Sequence, residues 1–203
     1  MSTTSHHPIV LGVTGASGAI YSRRLLHVLL DVNCDVHLSV SPSGKAVFEQ
    51  ELGESLGLDD FSTKQFLGTA TPQSGRLTYH HYKNLMAPIA SGSFLTSAMV
   101  ICPCSGSTLA AVTHAMGDNL IHRAAEVHLK ERRKLIVVPR ESPLSLPQLK
   151  NMQSIHEAGA VVLPASPGFY HNAKTIDDLV NFVVARICDQ LNIANKLVSR
   201  WGH

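Results

Sequence analysis

The sequence predicts an α/β fold in which a parallel sheet carries helices on both faces, in a single domain spanning residues 1–203. Three apolar runs without alternation, at 9–11, 98–102 and 134–138, have the pattern of parallel strands that are buried on both sides. Stretches with helical spacing follow these runs, and a glycine-rich turn directly follows the first. A chain of 203 residues is long enough to bury a substantial core in one domain.

The first apolar run leads into a turn with glycine at every third position, Gly12, Gly15 and Gly18. Small residues, Thr14, Ala16 and Ser17, lie between these glycines, so the backbone can approach a ligand closely. A helix that begins at Ala19 points its free N–H groups and the positive end of its dipole at an anion held by the turn. The pattern predicts a phosphate cradle, and the alternative is a glycine-rich connection that binds nothing.

The next segments predict a helix over 19–30 and a strand over 34–40 that ends at Ser41. A dinucleotide-binding unit places an acidic residue at this strand end to hold a ribose. Ser41 occupies the position instead, which argues against a nicotinamide cofactor. A further helix is predicted around 46–56.

The polar segment at 59–76 has the composition of a mobile excursion. Beyond it, Tyr79 and Lys83 match the Tyr-x-x-x-Lys pattern of short-chain dehydrogenases, but those enzymes carry the pair on a later helix with a serine upstream. His80 and His81 would point to opposite faces of a strand, and no third ligand follows at a suitable spacing. We therefore predict neither a dehydrogenase nor a metal site here.

A second small-residue loop follows the apolar run at 98–102, and a helix is predicted after it, over 109–116. The loop residues are Ser105, Gly106, Ser107 and Thr108. Ligands of open α/β sheets bind beyond the carboxyl ends of the strands, so two such loops side by side predict a pocket. The alternative is a serine-rich helix cap without a ligand.

The helix predicted over 118–133 carries four residues spaced to share one side, namely Arg123, Glu126, Val127 and Lys130. This side is either a solvated surface with a Glu126 to Lys130 ion pair or a cationic wall.

Arg140 and Glu141 follow the strand predicted at 134–138, at the end where parallel sheets place their chemistry. Helices are predicted over 149–158 and 176–191, with a short strand at 160–163 between them.

The composition excludes several classes of protein. A net charge of +2 argues against a nucleic-acid or membrane-surface binder. Only 16% of the residues are charged, which favours apolar surface covered by other subunits. Four cysteines are too few for a disulfide framework and favour reduced thiols in the cytoplasm. The N-terminus does not resemble a signal peptide, and no segment reaches the roughly 18 apolar residues of a membrane span.

Four stretches are together highly specific: GVTGASGAIY from Gly12, IASGSF from Ile89, DNLIHRAAEVHLKERRKLIVVPRE from Asp118 and GFYHNAKTIDDLV from Gly168. Through them, residues 9–201 resemble the UbiX-type flavin prenyltransferases of the homo-oligomeric flavin-containing Cys decarboxylase-like superfamily. The resemblance implies a three-layer Rossmann-like or flavodoxin-like sheet, FMN bound between subunits and a dodecamer. It also implies transfer of a dimethylallyl group from dimethylallyl phosphate to N5 and C6 of reduced FMN, giving the cofactor of UbiD-type decarboxylases.

The resemblance assigns a role to each matching residue. The flavin contacts of the family match Gly15, Ala16, Ser17, Ser41, Ser105, Gly106, Ser107, Thr108 and Arg140. Its allylic phosphate site matches Arg123, Lys130, Tyr170 and Arg186. Glu141 matches the acidic residue credited with proton handling, and Ser17, Lys130 and Arg123 join it as catalytic candidates. One departure is the loop at 104–108, where the family commonly has Cys-Ser-Met-Lys-Thr and this chain has Cys-Ser-Gly-Ser-Thr.

The chemistry is consistent with these residue types. Arg, Lys and Tyr side chains can stabilise a departing phosphate without Mg²⁺, so no metal is predicted. The allyl cation would face an aromatic ring, for which Trp201 or Tyr170 is a candidate. Glu141 or the released phosphate would accept the proton from flavin C6.

Two alternatives remain open. The first is an FMN-dependent decarboxylase of the same superfamily, but those enzymes carry a catalytic histidine near the first helix, where this chain has Ile20 and Tyr21. They also carry a PASANT-like motif, which PCSGST replaces here. The second is a flavin-binding carrier without catalysis, against which Glu141 beside Arg140 argues.

Overall fold

The centre of the fold is a six-stranded sheet. The computed structural model describes residues 7–68 and 74–199. Its strands are β1 (Ile9–Val13), β2 (Asp35–Val40), β3 (Arg76–Tyr79), β4 (Ala98–Cys104), β5 (Lys134–Pro139) and β6 (Val161–Val162). They lie in the order β3-β2-β1-β4-β5-β6, and each adjacent pair is parallel. The predicted parallel α/β sheet is confirmed.

Helices connect the strands, and several begin directly where a strand ends. Those in the described residues are α1 (Ala19–Asp31), α2 (Pro42–Leu52), α3 (Thr63–Leu67), α4 (Gly106–Thr113), α5 (Leu120–Lys130), α6 (Leu146–Glu157) and α7 (Ile176–Gln190). Helices α2 and α4 begin three or four residues earlier than predicted, because Ser41 and Ser105 act as N-caps. The loops after β2 and β4 are therefore very short.

The sheet is buried on both faces, which explains the absence of alternation in its sequence. Along β1, Ile9, Leu11 and Val13 belong to a core that includes residues of α1, α2, α3 and α7. Val10 belongs to a second core, which includes residues of α4, α5 and α6. The predicted three layers are confirmed, because each face of the sheet packs against its own set of helices.

The strands all run parallel, but the order in which they are added across the sheet reverses between β1 and β4. From β1 the chain moves outward through β2 to β3, then returns to place β4 on the other side of β1. At such a switch point the loops after the two central strands diverge and leave a crevice at the carboxyl edge of the sheet. The glycine turn and the loop after β4 flank this crevice.

The segment predicted as a mobile excursion contains regular structure. Helix α3 begins with a capping box, in which Ser62 and Gln65 hydrogen-bond reciprocally, and β3 pairs with the edge of β2. These elements escaped prediction because both are short and their stabilising partners are distant in sequence. Residues 69–73 and Trp201 lie outside the described part of the chain.

None of the helices in the described ranges combines the length and the apolar character that crossing a membrane requires.

Candidate active site

The glycine turn and the loop after β4 are joined by hydrogen bonds around one buried side chain, Thr14. Its hydroxyl donates to the carbonyl of Pro103 at 2.8 Å and accepts from the N–H of Ser105 at 2.8 Å. The N–H of Thr14 donates to the same Pro103 carbonyl at 3.2 Å. Because Thr14 is only 1% exposed, these bonds fix the two loops relative to each other.

The loop after β2 packs closely against the glycine turn. A Cβ atom on Gly15 would lie 2.5 Å from the Cβ of Ser43, and one on Gly44 would lie 2.6 Å from the carbonyl oxygen of Val13. Gly44 also donates its N–H to the hydroxyl of Ser41 at 3.0 Å. The three loops at the carboxyl ends of β1, β2 and β4 therefore form one continuous surface in which glycine allows close backbone approach.

The N-terminus of α1 does not offer the free N–H groups that the sequence predicts. The carboxylate of Glu51, on α2, accepts from the N–H of Gly18 at 2.9 and 3.1 Å and from that of Ala19 at 2.8 Å. The prediction of free N–H groups at this helix end is therefore wrong for Gly18 and Ala19, because a carboxylate of the chain itself already accepts from them. The phosphate cradle of the glycine turn itself stays a prediction.

The loop after β4 caps helix α4, which is the second of the two interpretations of its sequence. The hydroxyl of Ser105 accepts from the N–H of Thr108 at 3.2 Å, and its oxygen lies 3.0 Å from the Thr108 hydroxyl and 3.1 Å from that of Ser107. The cap is confirmed, whereas the flavin contact of Ser105, Gly106, Ser107 and Thr108 stays a prediction. A cap and a ligand contact are compatible, because Ser107 on the first turn remains exposed.

Arg140 and Glu141 lie at the same edge of the sheet. Arg140 donates from Nε to the carbonyl of Ser17 at 3.3 Å and so links the end of β5 to the glycine turn. Glu141 accepts from the N–H of Ser142 at 3.2 Å through one oxygen and from Gln148 Nε2 at 3.2 Å through the other. The structure thus brings the predicted residues Gly15, Ala16, Ser17, Ser41, Ser105 to Thr108, Arg140 and Glu141 to one edge.

A second group of predicted residues lies on α5 and the loop at 90–92. Arg123 donates from Nε to the carbonyl of Ala90 at 3.1 Å and forms an ion pair with Glu126 at 3.6 Å. Lys130 forms an ion pair with Glu131. The predicted pairing of Glu126 with Lys130 is wrong, because each has a different partner close at hand.

The common side predicted for α5 also needs correction. Val127 is 1% exposed and packs in the core, whereas the side chains of Arg123 and Lys130 are 45% and 51% exposed. The two cations therefore lie on the rim of the helix, which leaves them accessible to a ligand.

A third group of predicted residues, Tyr170 and Arg186, lies near β6, the outermost strand on one side of the sheet. Tyr170 packs edge-on against Phe182 of α7, with ring centres 5.7 Å apart. Arg186, one turn further along α7, forms an ion pair with Asp189 at 2.8 Å. Arg186 and Phe182 also line a cavity of about 260 Å³ that Val161 of β6 borders.

Lys130 and Glu141 lie too far apart to act together within one chain. Lys130 precedes β5 and Glu141 follows it, so the six residues of the strand separate them by about 20 Å along the sheet. The far end of α7 also reaches the amino edge, where Lys134 Nζ donates to the carbonyl of Gln190. One chain thus places the loops after β1, β2 and β4 at one edge and Lys130 at the other.

The cysteines next to the crevice are held as neutral thiols. Burial raises the pKa of the Cys104 thiol to about 12 and also raises the pKa of Cys102. Both side chains are fully buried, in the strand that leads to Ser105. Neither is available as a thiolate nucleophile, so the chemistry of the crevice depends on its oxygen and nitrogen groups.

Sequence reasoning missed two residues that shape this edge, Glu51 and Gln148. Glu51 lies 33 positions from Gly18, and no local pattern links them. Gln148 could have been found as the third helical residue after Ser145, in the capping-box spacing. Its contact with Glu141 has no such sequence pattern.

Comparisons with known proteins agree with this architecture. Residues 1–188 match the family model described as Flavoprotein. The chain is 46% identical to the flavin prenyltransferase UbiX of Pseudomonas aeruginosa over 198 residues, which cover 96% of this chain and 93% of that protein. It is 42% identical to the flavin prenyltransferase UbiX of Alkalihalophilus pseudofirmus over 203 residues, with full coverage of both proteins.

Solved structures give the same result. A crystal structure of AnUbiX in complex with FMN and dimethylallyl pyrophosphate matches with a TM-score of 0.84 and 35% identity over 98% of each chain. A dodecameric FMN-dependent UbiX-like decarboxylase from Escherichia coli O157:H7 matches with a TM-score of 0.82 and 36% identity over 97% of this chain and 100% of that one. A PPC decarboxylase mutant matches at 19% identity with a TM-score of 0.57, which shows the fold alone. The chain therefore belongs to the flavoprotein family and, within it, to the UbiX flavin prenyltransferases.

Proposed function

We propose that this protein transfers a dimethylallyl group from an allylic phosphate to N5 and C6 of reduced FMN. One observation carries the proposal beyond family membership. Arg140 bridges β5 to the glycine turn through Ser17, and Glu141, the next residue in the chain, lies at the same edge of the sheet, where the flavin loops meet. A proton-accepting carboxylate beside a flavin site is what ring closure onto C6 requires.

The residues of the crevice suit a flavin. The surface around Ser17, Ser41 and Ser105 offers hydroxyls and closely approaching backbone, which suit a large planar ring and a phosphate. Because Glu51 occupies the α1 N-terminus, the flavin phosphate would be held by the hydroxyl-rich loops. We assign flavin binding to Gly15, Ala16, Ser17, Ser41, Ser105, Gly106, Ser107, Thr108 and Arg140.

Reduced FMN supplies the nucleophilic N5 and C6 atoms. Arg123, Lys130, Tyr170 and Arg186 bind the donor phosphate and stabilise the negative charge that builds on it as the allylic carbon–oxygen bond breaks. Glu141 accepts the proton that C6 releases. Four such groups supply enough donors for either a monophosphate or a pyrophosphate, and the AnUbiX complex contains dimethylallyl pyrophosphate.

The site is assembled from more than one copy of the chain. The roughly 20 Å between Lys130 and Glu141 within one chain requires this if both act on one substrate. The chain also exposes large apolar side chains that a partner copy would cover, among them Met86 at 92%, Met116 at 74%, Ile176 at 72% and Phe169 at 71%. We propose a homo-oligomer, with the dodecamer of the Escherichia coli relative as its form.

The cellular setting follows from the same family. Residues 1–203 would form one flavoprotein domain that operates in the cytoplasm, where its free thiols stay reduced. A prenylated flavin is a cofactor and not an end product, so we propose that it is passed to a UbiD-type decarboxylase.

A decarboxylase activity of this chain is the second candidate, because two similar structures are described as decarboxylases at 36% identity. The two functions differ in their products. A decarboxylase releases CO₂ and leaves the flavin unchanged, whereas a prenyltransferase increases the mass of the flavin.

The deciding experiment gives the purified protein reduced FMN and dimethylallyl phosphate under anaerobic conditions, without added metal. We expect mass spectrometry to find a flavin heavier by one dimethylallyl unit, and a parallel reaction with the pyrophosphate tests donor preference. Unmodified FMN from both donors would refute the transfer. A carrier without catalysis would retain FMN and give the same negative result.

A further inference from the structure

Gln148 contacts the proposed proton acceptor from a different element. It is the third residue of α6, and its Nε2 donates to a carboxylate oxygen of Glu141 at 3.2 Å. The other oxygen of Glu141 accepts from the N–H of Ser142 at 3.2 Å. One donor therefore holds each oxygen of an otherwise exposed carboxylate.

The orientation of the Gln148 amide is determined by its other bond. Its Oε1 accepts from the backbone N–H of Ser145 at 2.8 Å, which closes the capping box of α6. A backbone N–H can only donate, so the amide oxygen must face Ser145 and the NH₂ group must face Glu141. The helix cap thus aims a donor at the carboxylate.

The loop after β4 leaves room for this amide. A Cβ atom on Gly106 would lie 2.9 Å from Gln148 Nε2, which is closer than such atoms normally pack. The family commonly has methionine at this position of the loop, and this chain has glycine. The departure from the family pattern therefore creates the space in which Gln148 lies between the flavin loop and Glu141.

We propose that Gln148 is a positioning residue that holds the carboxylate of Glu141 toward the crevice, an inference that rests on the proposed prenyl transfer. An exposed glutamate samples several rotamers, and two fixed donors confine it to one. Gln148 also packs closely against Gly106, in the loop that carries Ser105 and Thr108. Loss of the donor should slow the chemical step without weakening flavin binding.

The test is Gln148→Glu, which separates positioning from folding. Glutamate is equally suited to the third position of a capping box, so the bond to the Ser145 N–H is retained. The donor to Glu141 is replaced by an oxygen that repels the carboxylate. We expect kcat for prenylated flavin to fall about tenfold or more, while the Kd for FMN and the KM for the donor change less than about twofold.

Ser145→Ala is the matched control. It removes the hydroxyl that accepts from the Gln148 N–H but leaves the amide facing Glu141. We expect this variant to melt at a lower temperature and to keep the parental kcat. A Gln148→Glu variant as fast as the parent, or a Ser145→Ala variant equally slow, would overturn the positioning role.

A melting experiment tests the contact without the reaction. In Glu141→Gln combined with Gln148→Glu, an amide again faces a carboxylate, so the double variant should melt about 2–4 °C above Gln148→Glu alone. An equal melting temperature would show that the two side chains do not interact and would overturn the inference. If the parent enzyme makes no prenylated flavin, the proposed function fails, and the melting data still decide whether the contact exists.

Discussion

Division of the site between copies can be tested by genetic complementation. Lys130 and Glu141 flank β5 at opposite edges of the sheet, about 20 Å apart. If both act on one substrate, each site takes Lys130 from one copy and Glu141 from another. Co-expression of Lys130→Ala with Glu141→Gln should therefore restore activity that neither variant has alone.

The expected recovery follows from random assembly. With equal amounts of the two chains, a site is intact only when its Lys130 comes from the Glu141→Gln chain and its Glu141 from the Lys130→Ala chain. This occurs in about one quarter of the sites of a symmetric homo-oligomer. A site contained in one chain would be intact in none of them.

A matched control carries both substitutions in one chain and co-expresses it with the parent. Shared sites again give about one quarter of the parental activity, whereas sites within one chain give about one half. The assay is the yield of prenylated flavin per FMN-binding subunit in the purified mixed oligomer, with the ratio of the two chains measured by mass spectrometry. No recovery in the first mixture, with one half in the second, would refute the shared site.

Three further predictions concern the scaffold. Glu51→Ala removes the carboxylate that accepts the first N–H groups of α1, and urea unfolding should show a loss of about 1–2 kcal/mol. Gly15→Ala forces a Cβ to within 2.5 Å of Ser43, so we expect a loss of about 1–3 kcal/mol and weaker FMN binding by titration. Burial, followed by the charges of His80 and Arg76, lowers the pKa of His37 to about 4 from 6.5, and His37 Nδ1 lies 2.8 Å from His80 Nε2. Because His37 binds its proton more tightly in the unfolded chain than in the folded one, the free energy of unfolding should fall as the pH is lowered, by up to roughly 3 kcal/mol between pH 6.5 and 4. Unfolding curves at several pH values should show a weaker pH dependence for His37→Gln.

The fold could be predicted because its determinants are local. An apolar run without alternation is enough to identify a parallel strand that is covered on both faces, as for residues 9–11 and 98–102. The errors at helix ends were also local in origin. Ser41 and Ser105 are N-caps that immediately follow their strands, so α2 and α4 begin there and not at the first apolar residue.

The contacts that shape the crevice could not be predicted in this way. Glu51 reaches Gly18 across 33 positions, and Thr14 is joined to Pro103 across 89. Such pairs depend on which strands become neighbours, and hydrophobic periodicity contains no information about strand order. The sequence therefore predicts a site at the glycine turn but does not predict the partner of the adjoining helix.

The proposed division of the site, by contrast, depends on two residues that are close in sequence. Lys130 and Glu141 are only 11 positions apart in the chain, which suggests neighbours. The apolar run between them is a strand, however, and a strand carries its two flanks to opposite edges of the sheet. Family resemblance predicts which residues serve one substrate, and strand direction indicates which of them one chain cannot bring together. The two arguments are consistent only if another copy of the chain completes the site.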